Sequence, residues 1–345
     1  MYCQRCGTEN PDDAKVCRSC SAVLSKAPVT TEDRFPKTSG LAIAAFVLGL
    51  LSIVFFPTGI VAIILGIAAI IVIEKSGGRL TGRVFAVLGI IIPVLAFLLI
   101  FVLMMALMPA LHRVRKQART VACMANLKQW GIIYVMYTED NNGHFFSGRA
   151  DGTGCWWMDS LQPYCHDNKQ LLLCPAAMMP YTEGGRNPFG AWKIGDDSGS
   201  YGLNGWICNP EKEKTELRGR GPGENYWRTP NIKGANNIPL FLDAMWFEAW
   251  PRQDDNPPPD EDWLSEQVNE AEMKANENEM RRFCINRHQG FVNGLFVDWS
   301  VRKVGLKELW TLKWHRDYNT EGPWTLRGGV QPNKWPEWMR NFRDY

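Results

Sequence analysis

The sequence predicts an α+β protein organised around one long helix, and three observations lead there. Val84–Met108 is a run of 25 residues without a charge, and at about 1.5 Å per residue it exceeds the ~30 Å hydrocarbon core of a bilayer. Beyond it Cys123, Leu127, Trp130, Tyr134 and Tyr137 recur at spacings of four, three, four and three, the stripe of a helix that docks one face on a folded core. The chain then breaks into short segments rich in aromatic and β-branched residues, separated by Gly, Pro and Asn: Trp156–Met158, Leu171–Leu173, Tyr201–Ile207, Ile238–Trp246, Gly294–Trp299 and Val301–Val304. That pattern predicts an antiparallel sheet packed against the helix.

Composition sets the outer bounds. A chain of 345 residues accommodates two or three units at ~100–200 residues each. A net charge of +2 supplies no concentrated basic footprint, which excludes nucleic acid as the expected partner. All 15 Trp lie between Trp130 and Trp338, whereas four of the ten Cys fall in the first 20 residues, so two different chemistries share the polypeptide.

Residues 1–25 hold Cys3-Gln-Arg-Cys6-Gly7 and Cys17-Arg-Ser-Cys20. Each CxxC pair forms a tight turn that aims two thiolates at one tetrahedral ion, and Gly7 supplies the positive φ such a turn needs. With Asn10-Pro11-Asp12 between the pairs, the stretch resembles the short zinc ribbons found at bacterial N-termini, which implies structural zinc held by Cys3, Cys6, Cys17 and Cys20. A redox CxxC pair and an iron–sulfur cluster are the alternatives. A segment this small has too little apolar burial to fold without the metal. Thiolate ligands survive in a reducing compartment, which places this end in the cytoplasm. Met1 leads into cysteines and charges, not into a secretory signal peptide.

Residues 26–40, with Pro28, Pro36 and three cations, read as a polar linker. Residues 41–108 form a membrane module embedded in the lipid bilayer, with helices expected at about 41–56, 60–73 and 84–108. The first two are a hairpin turning at Pro57-Thr58-Gly59, with Gly40, Ala44, Ala45, Gly49, Ser52, Gly66, Ala68 and Ala69 allowing close approach; a single kinked span is the alternative. Three spans put residues 110–345 outside the cytoplasmic membrane. Two would keep them inside, with Arg113, Arg115, Lys116 and Arg119 obeying the positive-inside rule.

Residues 109–345 carry a resemblance. Met108–Gly131, with its Cys123-Met-Ala-Asn126-Leu127-Lys128-Gln129 core, and the continuation Tyr137–Phe145 are similar to the helix-to-body junction of pilin-like proteins of the type II secretion and type IV pilus kind. The branch most resembled ends in His, nine residues, then Asp-Gly. His288 and Asp298 have that spacing, with Trp299 where the family has glycine, and Leu173-Cys174-Pro175 and Ser200-Tyr201-Gly-Leu-Asn204 also fit. The resemblance implies a domain fixed outside the inner membrane, a disulfide from Cys123 to Cys174 tying helix to sheet, and a second from Cys155 to Cys165. It implies a structural or interactive role in a secretion or envelope assembly, through an envelope or secretion protein as partner. The prepilin cleavage signal and its glutamate are absent: Val84 is preceded by Arg79-Leu-Thr-Gly82-Arg83, and Val84–Met108 contains no Glu. Their absence implies a chain that is not processed as a prepilin and argues against polymerisation into a pilus.

Other chemistry is thin. HExxH, GxSxG and Gly-rich phosphate loops are missing from the sequence, so no catalytic residue is assigned. His288 and Asp298 read as a hairpin lock, bonded to backbone and to each other, with an acid–base or metal pair as the sharper alternative. His166 beside Cys165 would suggest an activated thiolate only with a second motif. Trp156, Trp157, Trp246, Trp250, Trp310, Trp314, Trp324, Trp335 and Trp338 are core anchors or, if exposed, a face for glycan. An acidic insertion at about 251–282, from the Pro257–Pro259 run through Glu261–Arg282, reads as a stiff connector and a solvated helix.

Overall fold

The computed structural model describes residues 1–24, 37–148, 157–165, 168–183, 185, 188–210, 220–262 and 277–345. They form two compact units, Met1–Met108 and Pro109–Tyr345.

After the N-terminal segment, the first unit runs from the short strand β1 (Lys37–Thr38) into α1 (Gly40–Leu51) and α2 (Pro57–Lys75). It then passes through β2 (Leu80–Thr81), parallel to β1, into α3, which spans Arg83–Asp140. The hairpin expected at Pro57–Gly59 turns earlier. Pro57 is the first residue of α2, because proline's missing N–H is harmless at a helix start and its φ is already helical. α1 is correspondingly short, 12 residues or about 18 Å. α2 and α3 are long and apolar enough to cross a membrane.

Small residues carry the helix contacts. Ala42, Ala45 and Gly49 of α1, Gly59, Ala62, Gly66 and Ala69 of α2, and Ala86 of α3 are buried, while Gly40, Ala44 and Ala68 of the expected set are not. The tightest approach to backbone among these helices is at Gly89, where a Cβ would lie 2.7 Å from the Ala45 carbonyl carbon. Backbone cannot yield there as a side chain can. Gly89→Ala is expected to cost about 1–3 kcal/mol, read as a lower midpoint when far-UV circular dichroism follows unfolding in denaturing detergent; an unchanged midpoint would refute the contact.

In the second unit the C-terminal part of α3 presents Cys123, Leu127, Trp130 and Tyr134, all buried, to a mixed sheet. The strands that follow α4 (Trp157–Cys165) are β3 (Met179–Pro180), β4 (Gly190–Ile194), β5 (Asp197–Gly199), β6 (Tyr201–Asn204), β7 (Pro239–Asp243), β8 (Glu248–Ala249), β9 (Phe291–Phe296) and β10 (Val301–Gly305). Five make the main sheet in the order β10-β9-β7-β6-β8, antiparallel except for β6–β8. The core is aromatic: Trp130 meets Phe241 of β7 edge-on at 5.2 Å, and Phe241 meets Trp157 at 4.9 Å. The Trp130 indole N–H donates to the Leu171 carbonyl at 2.9 Å, so its polar edge is satisfied.

Several expectations are corrected. Trp157–Met158 open a helix, not a strand, and Leu171–Leu172 lie in a 3₁₀ turn, since three-residue apolar runs do not discriminate helix from strand. Trp157, Trp250, Trp310, Trp314 and Trp335 are buried, as core anchors are, and Trp246, Trp324 and Trp338 are half-buried; Trp156 lies outside the described residues. Within the acidic insertion 263–276 lie outside them too, but Glu279, expected on a solvated helix, is buried in a 3₁₀ turn. It accepts from Arg220 Nε at 2.8 Å, from Arg282 Nη1 at 3.2 Å and from the Trp250 amide at 2.7 Å.

Candidate functional site

Two thiol-bearing sites emerge among the described residues. In the first, Cys3, Cys6, Cys17 and Cys20 bring their sulfurs within 4.8 Å of one another, with Cys3–Cys20 at 3.6 Å and Cys6–Cys17 at 3.5 Å. Tetrahedral Zn–S bonds of ~2.3 Å demand sulfurs about 3.8 Å apart, so the donor set fits the ion closely. The two CxxC turns are built alike. Gly7 N–H donates to the Cys3 carbonyl at 2.8 Å and Ser21 N–H to the Cys17 carbonyl at 3.0 Å, while the Cys3 and Cys17 amides close onto Thr8 and Ala22. Around the sulfurs, the Ser19 and Cys20 amides hold the Cys17 thiol down at about 6, and Asn10 Nδ2 points at the same sulfur from 3.6 Å.

Residues 2–24 match the zinc-ribbon domain family. No curated protein and no solved structure matches the chain. The zinc ribbon has one imperfect corner. Gly7 has φ 72°, and the equivalent position in the second turn is Ser21 at φ 54°, a left-handed conformation that costs an L-residue roughly 1 kcal/mol. Ser21→Gly should therefore tighten zinc binding about threefold to fivefold, equivalent to roughly 0.7–1 kcal/mol, measured by competition with a chromophoric chelator. A weaker affinity would show that the Ser21 side chain contributes more than its backbone strain removes.

The second site lies in the second unit and gathers three residues that the sequence singled out, Cys123 and Cys174 as a pair and His288 apart from them. Cys123 comes from α3, Cys174 from the turn after Leu173, His288 from the segment preceding β9, and Asp243 from the end of β7. Their ligand atoms all lie within 4.8 Å and all four residues are buried. His288 Nε2 is 3.1 Å from Asp243 Oδ2 and 3.5 Å from Cys174 Sγ. Cys123 Sγ lies 3.5 and 3.6 Å from the two Asp243 oxygens. Arg287, fully buried, donates to Asp243 Oδ1 at 3.2 Å, and the Asn293 amide donates to Oδ2 at 2.8 Å.

Burial opposes charge on Asp243, yet His288 and Arg287 beside it hold the carboxyl down at about 2. Against the same burial, Asp243 lifts His288 to about 9. Burial pushes the Cys123 thiol well above its usual range. Such a cluster can hold an ion pair, close a disulfide or bind a metal. Cys123 and Cys174 are free thiols here, as are Cys165 and Cys284. Cys165 donates to the Leu161 carbonyl at 3.1 Å, and Cys155 and His166 lie outside the described residues.

His288 and Asp298 part company. Asp298 is exposed at the β9–β10 turn and accepts from the Ser300 amide at 3.0 Å and its hydroxyl at 2.6 Å. The expected mutual lock does not form, because β9 carries the two residues apart, one to each end. Asp243 was missed by sequence reasoning, although a signal exists: it is the one charge in the apolar run Ile238–Trp246, and a charge inside a buried strand needs partners.

Proposed function

We propose that the chain is a membrane-anchored structural or interaction protein whose soluble unit is pilin-like. It would serve as a fixed component of a bacterial secretion or envelope assembly and would not be processed as a prepilin. The observation that carries this reading is α3, a single 58-residue helix. Its first half is apolar and free of glutamate, and its last part buries Cys123, Leu127, Trp130 and Tyr134 against an antiparallel sheet. A second feature agrees with it: Trp299, at the position where the resembled motif has glycine, has φ 65°, the left-handed conformation that glycine would adopt freely. This reading places the zinc-ribbon cysteines in the cytoplasm and the soluble unit outside, which requires the short α1 to cross along with α2 and α3; two spans would leave both ends on one side.

Two measurements on cells test this. Protease added to spheroplasts should digest residues 110–345 and leave the zinc ribbon protected. The mass of the chain recovered from cells should include the ribbon, without cleavage near Gly82. A protected soluble unit would refute the external location, and cleavage before Arg83 would refute the fixed anchor.

A further inference from the structure

We propose that Cys123, Cys174, Asp243 and His288 bind one divalent transition-metal ion of borderline softness, zinc by their donor set, as a closed structural centre where α3 meets the sheet. This centre is separate from the zinc ribbon and independent of any role in an envelope assembly.

Convergence is the first argument. Tetrahedral bonds of ~2.0–2.3 Å place mixed S, N and O donors about 3.3–3.8 Å apart. The His288–Asp243, His288–Cys174 and Cys123–Asp243 contacts run from 3.1 to 3.6 Å, and all four ligand atoms lie within 4.8 Å of one another. Two thiolates, one imidazole and one carboxylate suit zinc better than calcium or magnesium, which prefer oxygen alone.

The orientation of His288 is the second. The Thr120 hydroxyl donates its proton to the Lys116 carbonyl at 3.0 Å, so its oxygen is left to accept from His288 Nδ1–H, also at 3.0 Å. That bond assigns a proton to Nδ1 and turns Nε2 toward a carboxylate oxygen and a sulfur. A cation seated between them would take the place of the proton that Nε2 otherwise shares with Asp243. Fixing the far nitrogen with a hydrogen bond is how metal-bound histidines are held. A nucleophilic Cys–His–Asp relay requires the sulfur and the carboxylate on opposite ring nitrogens. Here a single nitrogen faces both.

Charge supplies the third. Two thiolates and the Asp243 carboxylate carry three negative charges, matched by a divalent ion and the buried Arg287 guanidinium, 0% exposed. A buried centre that sums to zero avoids the cost of an isolated charge. Access exists as well: a cleft of about 520 Å³ is lined by Lys116, Arg119, Thr120, Glu261 and His288 among others.

The test is metal content of the full-length chain, purified in detergent under reducing conditions and exposed to zinc. The wild type should hold about two zinc ions, one in each thiol site. Cys17→Ser/Cys20→Ser, which disables the zinc ribbon, should keep one. Cys123→Ser/Cys174→Ser with the ribbon intact should also keep one. Cobalt loaded into the ribbon-disabled chain should give the visible bands of a tetrahedral thiolate site, with the charge-transfer intensity falling by about half on Cys123→Ser. Tryptophan fluorescence verifies that each variant remains folded. A folded ribbon-disabled chain that takes up no metal overturns the proposal, whether its Cys123 and Cys174 are then found free or bridged.

Discussion

Glu279→Ala should lower the stability of the soluble unit by about 3–5 kcal/mol, the cost of breaking a buried ion pair on one side only. Glu279 and Arg220 have side-chain exposures of 2% and 8%, with Nε–Oε1 at 2.8 Å. The second carboxylate oxygen accepts from Arg282 and from the Trp250 amide. Truncation leaves the Arg220 guanidinium stacked 4.1 Å from the Trp250 ring without its carboxylate, and leaves a buried amide without an acceptor. Glu279→Gln keeps the shape and one acceptor oxygen but not the charge, so it should cost less. Because every Trp lies between 130 and 338, tryptophan fluorescence during denaturation reports this unit and not the first, which ends at Met108. A loss below 1 kcal/mol would show that water reaches the pair.

Acid should destabilise the soluble unit through His315. This imidazole is buried, with Trp206 at 4.7 Å and Tyr318 at 5.3 Å. Burial pushes its pKa down to about 4 from 6.5; Lys313 and Arg252 push the same way, against Asp317. The folded chain thus prefers neutral His315 more strongly than the unfolded chain does. The resulting stability is fully present above pH 6.5 and is lost as pH falls towards 4, on the order of 3 kcal/mol across that window. Asp255 works in the opposite direction. Burial raises it to about 6, so it binds a proton earlier in the folded state and adds stability as pH falls. Comparing the wild type with His315→Phe cancels the Asp255 contribution: the difference should grow by about 3 kcal/mol between pH 7 and pH 4. Parallel pH profiles would sink the assignment.

How much the sequence disclosed depended on how local each signal was. The zinc ribbon was fully legible, because its four cysteines sit in two short turns whose spacing is itself the geometry. The stripe on α3 was legible from helical periodicity, and the β9–β10 hairpin from its alternating Leu295–Arg302 run. The buried role of Glu279 was not, because a glutamate among Glu266, Glu270, Glu272 and Glu277 has the same local pattern whether it faces water or an arginine 59 positions away. The Cys123, Cys174, Asp243 and His288 cluster was half legible. Cys123 and Cys174 were paired through the resemblance and His288 was paired with Asp298, but nothing in the spacing of β7 and β9 along the chain says that His288 and Asp243 join the two cysteines.

That cluster also has a history in time. Its first member, Cys123, and its last, His288, are separated by 165 positions, roughly 8–33 seconds of synthesis at ~5–20 residues per second. Cys174 is made long before Asp243 and His288, so the two sulfurs become available to each other, and to any oxidant, well before the carboxylate and imidazole exist to join them. Were an oxidant present during synthesis, the final state of the site would be set by a race between oxidation of the early pair and completion of the late quartet. Slowing elongation between Cys174 and His288 lengthens the interval in which the pair stands alone.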